Sequence, residues 1–163
     1  MDMLVLEFDE VFWDEKADLI NYISDHEGHW ASTLNIYKST GKKFLKMFNA
    51  GSAAITHAEM NDEEVVESAM VALRNMYGED IPEPIAFARS NWSKELHIGF
   101  SYATIPPGCN AKECDEIAEP ISKKLWFAGE HTHLEFLGTV HGAYMTGEKA
   151  AYEILEENQL AGI

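Results

Sequence analysis

The sequence predicts an α+β fold, a mixed β-sheet flanked by helices and followed by a C-terminal strand–helix element. Three observations carry this. Short runs at 3–8, 30–37, 43–49 and 85–91 read as strands. Residues 62–77 carry the start, stripe and stop signals of an amphipathic helix. A final apolar run at 125–128 ends at a glycine and leads into a second helical pattern at 139–157.

Met3-Leu4-Val5-Leu6-Glu7-Phe8 is a short apolar run bounded by Asp9 and Glu10, the pattern of a buried strand. Over 14–25, Leu19, Ile20 and Ile23 suit either period, and the element type stays open. Trp30, Ser32, Leu34 and Ile36 alternate along Trp30–Lys38, and Phe44–Asn49 follows after a Gly41-Lys42 turn, so 30–49 reads as a hairpin ended by Gly51. Asn61 is an N-cap, Glu64 completes a capping box, and Asp62, Glu63 and Glu64 lie at the positive end of the helix dipole. Val65, Val66, Ala69, Met70, Leu73 and Met76 form the stripe of this helix, whose role is structural. Gly78 closes it, and Pro82 and Pro84 prevent its continuation. Ile85–Asn91 reads as a further strand, and 92–124, with Pro106-Pro107-Gly108, as irregular. With no repeat or linker, residues 1–163 are expected to form a single compact unit, divided into portions 1–124 and 125–163.

Composition limits the function classes. Twelve Lys and Arg against 28 Asp and Glu leave a formal charge of −16. Such a chain is poorly suited to phosphate backbones or anionic membranes and better suited to cationic ligands. No apolar run approaches the ~20 residues of a membrane span, and no signal segment opens the chain. Cys109 and Cys114 form neither a disulfide framework nor a zinc pattern and read as free thiols. A cytoplasmic or nuclear location is expected.

Chemistry concentrates in L-W-F-A-G-E-H-T-H-L-E-F-L-G-T-V-H-G-A-Y-M-T-G-E-K-A-A, from Leu125 to Ala151. A strand runs into Gly129, where a missing side chain permits close approach, and Glu130 follows at the strand's carboxyl end. Gly138 leads to a helix whose first turn, Thr139-Val140-His141-Gly142, presents backbone N–H groups and a positive dipole end. A carboxylate beside such a helix start suits a ribose-bearing redox cofactor. An ordinary strand–turn–helix with a capped end fits the same residues, and these two readings stay open on the residues alone.

The F-A-G-E and G-T-V-H-G-A-Y pair closely resembles the C-terminal FAD-binding signature of the flavin-dependent amine oxidases, in the branch of polyamine oxidases and lysine-specific histone demethylases. Leu4–Asp9 with Phe12-Trp13-Asp14, Phe48–Ala54, Leu73–Gly78, Ile81–Pro84, Trp92, Gly99–Tyr102 and Ala118-Glu119-Pro120 also follow that family's order. The resemblance implies FAD as cofactor, a small-molecule amine as substrate, and hydride transfer to the flavin. It implies cofactor contacts at Gly129, Glu130, Gly138, Thr139 and Val140, with Trp92 close to the flavin. Phe136 and Tyr102 stand where an aromatic amine pocket is expected, and plain core packing is the alternative for Phe136 and Trp92. Thr139 replaces the tyrosine of monoamine oxidases, and Met3 stands where relatives place a lysine near the flavin.

No G-x-G-x-x-G run is present, so the chain is expected to correspond to the C-terminal portion alone, with the N-terminal dinucleotide-binding half absent. Such a portion is expected to be inactive without that half, to lose FAD on purification, and to pair with the half or with itself. A non-catalytic remnant acting as a protein-interaction module is the alternative. His131, His133 and His141 with Glu130 and Glu135 offer metal ligands, but His131 and His141 belong to the flavin-type signature and no metal is assigned.

Overall fold

Leu4, Leu6 and Phe8 alternate with Met3, Val5 and Glu7, and in the computed structural model the first set is buried while the second is half-buried. The structure describes residues 1–25, 28–99, 101–110 and 112–160. Within them the chain forms two compact units, Met1–Ser101 and Tyr102–Ile163. The first contains strands β1 (Asp2–Glu7), β2 (Leu19–Asn21), β3 (Ser32–Asn35), β4 (Phe44–Asn49) and β5 (Ala86–Arg89). Its helices are α1 (Ile36–Thr40), α2 (Gly51–Glu59) and α3 (Asp62–Tyr77). The second contains α4 (Lys112–Ala118) and α5 (Val140–Leu160). No described helix is long and apolar enough to cross a membrane.

The strand order is β2-β3-β4-β1-β5, and every pairing is antiparallel. This corrects the expected mixed sheet. A parallel pair needs a crossover of about a dozen residues or more, which the connection 36–43 between β3 and β4 cannot supply. Leu4, Leu6, Leu45 and Met47 bury one face of the sheet together with Val65, Ala69, Met70 and Leu73 of α3. Each Leu, Met or Val among them contributes roughly 1.5–3 kcal/mol through burial. α3 begins as its sequence requires, with Asn61 and Glu64 exchanging side chain–backbone bonds of 2.9 Å in a capping box.

Two local departures concern 30–59. The strand-like alternation of 30–38 is kept only over Ser32–Asn35. Trp30 has φ +49, outside strand geometry, and the Asn35 side chain caps α1, which ends at Gly41 with φ +71. Gly51 opens α2 rather than only ending β4; Ala53, Ala54, His57 and Ala58 form its buried face. Arg89 clips α2 to α3, donating to the carbonyls of His57 (3.4 Å) and Met60 (3.0 Å) and pairing with Asp62 at 2.7 Å.

Further corrections fall in the second half of the sequence. Residues 125–128 do not form a strand: Leu125 makes an isolated bridge to Ile121, around Ser122 and Lys123 at φ +54. A strand needs a ladder partner, and no strand is present among the described residues of this unit. Within the expected irregular stretch 92–124 the chain makes a 3-10 turn at Trp92–Lys94 and the helix α4. Phe100 and Ala111 of that stretch lie outside the described residues. The helix expected at 139–157 is present as α5.

Two buried side chains organise the first unit. Asn35 Oδ1 accepts from Trp13 Nε1 at 2.9 Å and from Tyr37 N at 3.1 Å, while the two protons of its Nδ2 are shared among the carbonyls of Ala17 (2.9 Å), Asp14 and Glu15 (3.2 Å each). His57 packs between His29 and Trp30, with ring centroids 4.8 and 5.0 Å away. Asn49 Oδ1 accepts from Trp30 N at 2.8 Å, so its Nδ2 is the atom 2.7 Å from His57 Nδ1. His57 Nδ1 is therefore an acceptor, and its Nε2–H faces Ser68 Oγ at 3.2 Å. Ser68 also accepts from Trp30 Nε1 at 3.0 Å, which helps hold Trp30 in its left-handed conformation.

Asn35→Ala is expected to cost about 2–4 kcal/mol, since it leaves the buried Trp13 N–H unpaired, removes the cap of α1 and releases the 14–17 loop. Urea unfolding checks this, and a loss below about 0.5 kcal/mol contradicts the assignment.

Burial, with His29 alongside, lowers the His57 pKa from its ordinary 6.5. The unfolded chain then binds the proton first, so the His57 contribution is complete above about pH 6.5 and declines as the pH falls towards the lower folded value. The stability loss on going from about pH 7 to about pH 5 should shrink in His57→Gln, and an unchanged slope in urea titrations counts against the account.

Candidate functional site

The sequence-selected residues of the second unit converge on the start of α5. Gly129 has φ +148, and a Cβ there would lie 2.5 Å from the His131 ring, so a side chain at this position requires the ring to move. The Gly129 N–H donates to Thr146 Oγ1 at 3.0 Å. Thr146 also lies 3.0 Å from the Gly129 and Gly142 carbonyls, and its single hydroxyl proton serves one of them at a time. Thr132 adds N–H and hydroxyl bonds to the Gly129 carbonyl at 3.0 and 2.8 Å.

Glu130 starts a 3-10 turn, Glu130–Thr132, and is half-buried. One carboxylate oxygen accepts from Ala103 N at 2.7 Å and the other from Gly138 N at 2.6 Å. Thr139 caps α5 with its side chain, accepting from Gly142 N at 3.1 Å and donating to the Phe136 carbonyl at 2.7 Å. Its own carbonyl accepts the Ala143 N–H at 3.2 Å. The backbone N–H groups of Val140 and His141 have no partner among the described residues and sit at the positive end of a 21-residue helix.

Phe136 is half-buried between two histidine rings, His133 at 4.9 Å and His141 at 4.5 Å between centroids. Its N–H donates to His133 Nδ1 at 3.2 Å. Tyr102 is exposed, its ring 3.6 Å from where a Cβ on Gly138 would stand. Gly129, Glu130, Gly138, Thr139 and Val140 thus form one cluster with Phe136 and Tyr102. No group of three or more metal-ligating side chains occurs among the described residues.

Met3 and Trp92 belong to the first unit. Met3 pairs with Phe48 across β1 and β4, and its N–H donates to Ser90 Oγ at 2.9 Å. Alternation places its side chain with Val5 and Glu7, on the sheet face opposite Leu4 and Leu6. Lys46 shares that face through its pairing with Val5, its Nζ 5.4 Å from the centroid of the Phe48 ring. Trp92 is partly exposed, with its backbone N–H on Asp2 Oδ1 at 3.0 Å.

Sequence reasoning missed Thr146 and the packing role of Gly142. A Cβ on Gly142 would lie 2.3 Å from the Phe136 carbonyl oxygen, so only glycine lets the helix start approach the turn before it. The signal was present: Thr139, Gly142 and Thr146 lie at three- and four-residue spacing along one helix face.

The chain matches the family described as flavin containing amine oxidoreductase over residues 2–155. It is 31% identical to lysine-specific histone demethylase 1 homolog 3 of Arabidopsis thaliana, over 96% of this chain and 10% of that protein. Lysine-specific histone demethylase 2 of Homo sapiens is 29% identical, over 94% of this chain and 20% of its own length. Polyamine oxidase 2 of Arabidopsis thaliana is 30% identical, over 91% and 30%. The chain therefore spans less than a third of the length of these relatives. Among solved structures, cyclohexylamine oxidase from Brevibacterium oxydans shares the fold with a TM-score of 0.72 at 22% identity, over 97% of this chain and 35% of that one.

Gly142→Ala is expected to raise the rate of proteolytic cleavage within residues 102–160 about tenfold or more, the effect of roughly 1–3 kcal/mol of overpacking. Gly147→Ala, whose Cβ would meet nothing within 4 Å, is the control and should not accelerate cleavage. Equal rates for the two variants contradict the packing assignment.

Proposed function

The chain belongs to the flavin-containing amine oxidoreductases, and from that membership we propose that it forms the C-terminal portion of an FAD-dependent amine oxidase acting on a polyamine or similar amine. The observation that carries this reading is the helix start at Thr139–Gly142, whose first-turn Val140 and His141 N–H groups have no partner among the described residues, with Gly138 before it bonded to Glu130 and Thr146 of the same helix bonded to Gly129.

These residues fit one edge of a flavin. The two N–H groups and the α5 dipole favour negative charge on whatever lies before them. FAD, when bound, supplies the acceptor for the hydride lost from the carbon bearing the amine. Gly129 lets the His131 ring sit against the backbone, while Gly138 and Thr139 fix the turn that presents the N–H groups. Phe136, braced by His133 and His141, and the exposed Tyr102, whose ring lies against Gly138, offer aromatic faces on which the methylenes of an amine would pack. Trp92 and Met3, in the first unit, are proposed as flavin neighbours on the family resemblance alone. Portion 1–124 would then supply the substrate-domain part and 125–163 the cofactor part. The absence of G-x-G-x-x-G from this sequence means that no residue of the chain matches the usual pyrophosphate cradle.

The net charge of −16 suits a cationic substrate. Relatives named as histone demethylases and as a polyamine oxidase leave two amine classes to compare, and a nuclear or cytoplasmic site of action is part of the proposal.

The chain purified alone is expected to carry no stoichiometric flavin absorbance and to leave polyamines unoxidised. Co-expression with the dinucleotide-binding portion of a related polyamine oxidase should yield a complex with a visible flavin spectrum that a polyamine bleaches under anaerobic conditions. Stoichiometric flavin on the chain alone overturns the partial-site reading. A stable complex without flavin overturns the catalytic one and favours the interaction module.

A further inference from the structure

We propose that Glu130 is a positioning residue whose carboxylate clamps two backbone segments and thereby sets the first turn of α5, rather than an acceptor reserved for a ligand. The inference rests on the flavin reading above only for what the turn faces; the clamp stands on geometry within the second unit.

A carboxylate is the one side-chain group that accepts at two oxygens and donates nothing. In Glu130 both oxygens are used on the main chain. One takes the Ala103 N–H at 2.7 Å and the other the Gly138 N–H at 2.6 Å, the short distances of charge-assisted bonds. Ala103 lies 27 residues before Glu130 and Gly138 lies eight after it, so one side chain joins three separate stretches of chain. The anchor of the clamp is itself fixed, because Gly129 is held by Thr146 on α5 and by Thr132.

The consequence falls on the residue after Gly138. Thr139 caps α5, and its hydroxyl can reach both the Gly142 N–H and the Phe136 carbonyl only while the turn 136–138 keeps its path. With Gly138 tied to Glu130 and Gly142 in contact with Phe136, the turn is fixed at both ends. That geometry leaves the Val140 and His141 N–H groups open rather than folded back on the turn. A ligand hydroxyl near Glu130 would meet oxygens already engaged and would add a bond rather than complete an empty site.

Glu130→Gln tests this with little change in shape. The amide oxygen can keep one of the two backbone bonds, while the NH2 group faces the other N–H and cannot accept it. Amide exchange resolved by NMR on the chain as it stands is expected to rise about tenfold or more at Ala103 or Gly138, with residues 147–155 of α5 unchanged. Unchanged exchange at both amides, or an equal rise across the whole unit, overturns the clamp. In the co-expressed complex described above, the same variant should shift the flavin reduction potential while the amine KM stays within twofold. A faster exchange at Gly138 with an unmoved potential overturns the positioning role. If the wild-type complex takes up no flavin, the functional reading fails by itself, and the exchange measurement alone decides whether Glu130 is a clamp.

Discussion

Asn35 lies at the end of β3 with both side-chain atoms in use, and the first unit is organised around that arrangement. Its oxygen receives the Trp13 indole N–H and the Tyr37 N–H in the first turn of α1; its nitrogen reaches three carbonyls of the 14–17 loop. The Trp13 indole N–H is buried beyond the reach of water, and leaving such a group unpaired costs about 1–3 kcal/mol. Asn35 satisfies it and with the same side chain ties down the partly exposed 14–17 loop. Trp13, thus oriented, packs edge-on against Phe8 and Phe12, and Phe12 in turn meets Tyr77 of α3. The polar contact therefore determines which aromatic faces the core receives.

The second unit solves the same problem with a charged group. Its segments 102–103, 129–130 and 136–139 are irregular, and no sheet pairs their backbone. Glu130, Thr139 and Thr146 supply the missing partners. Gly142 then allows the approach of the Phe136 turn that these bonds require, and Gly129 makes room for the His131 ring. The two units differ in the outcome of this strategy. In the first it buries a polar network; in the second it leaves donors on Val140 and His141 facing outward.

The sequence made the regular elements legible wherever the chain signals its own ends. Helix α3 has an N-cap, a capping box, an apolar stripe and Gly78, and it runs over the expected residues. Strands β1 and β4 follow from apolar alternation. Legibility failed where a neighbour decides. Leu125–Ala128 is apolar enough for a strand but has no described partner to pair with. The alternation from Trp30 to Lys38 was interrupted by a side chain, Asn35, acting as a cap, which a two-residue period does not reveal. Of the residues that the sequence singles out, Tyr102 and those from Gly129 to Val140 fall together around the start of α5, while Met3 and Trp92 belong to the first unit. The bonds around α5 were not legible, because whether Glu130 faces a ligand or two backbone amides depends on Ala103, a residue that nothing in the local motif marks.

A recurrent motif at a helix start is commonly explained by the ligand it holds. Here Gly129, Glu130, Gly138, Thr139 and Gly142 each have a role in the chain's own packing with no ligand invoked. The two explanations are compatible, and together they carry an energetic consequence. An element ordered by its own contacts does not lose that conformational freedom again when a partner binds, so more of the contact energy remains as affinity. Under the proposed reading this lets one part of a cofactor's environment exist on a short stretch of chain while the remaining contacts come from elsewhere. It also separates two kinds of residue within the motif. Substituting Gly142 or Thr146 acts through the packing of α5 and reaches a ligand indirectly. Val140 offers only its backbone N–H, its side chain being 88% exposed, and a change of side chain there should leave both packing and donor in place.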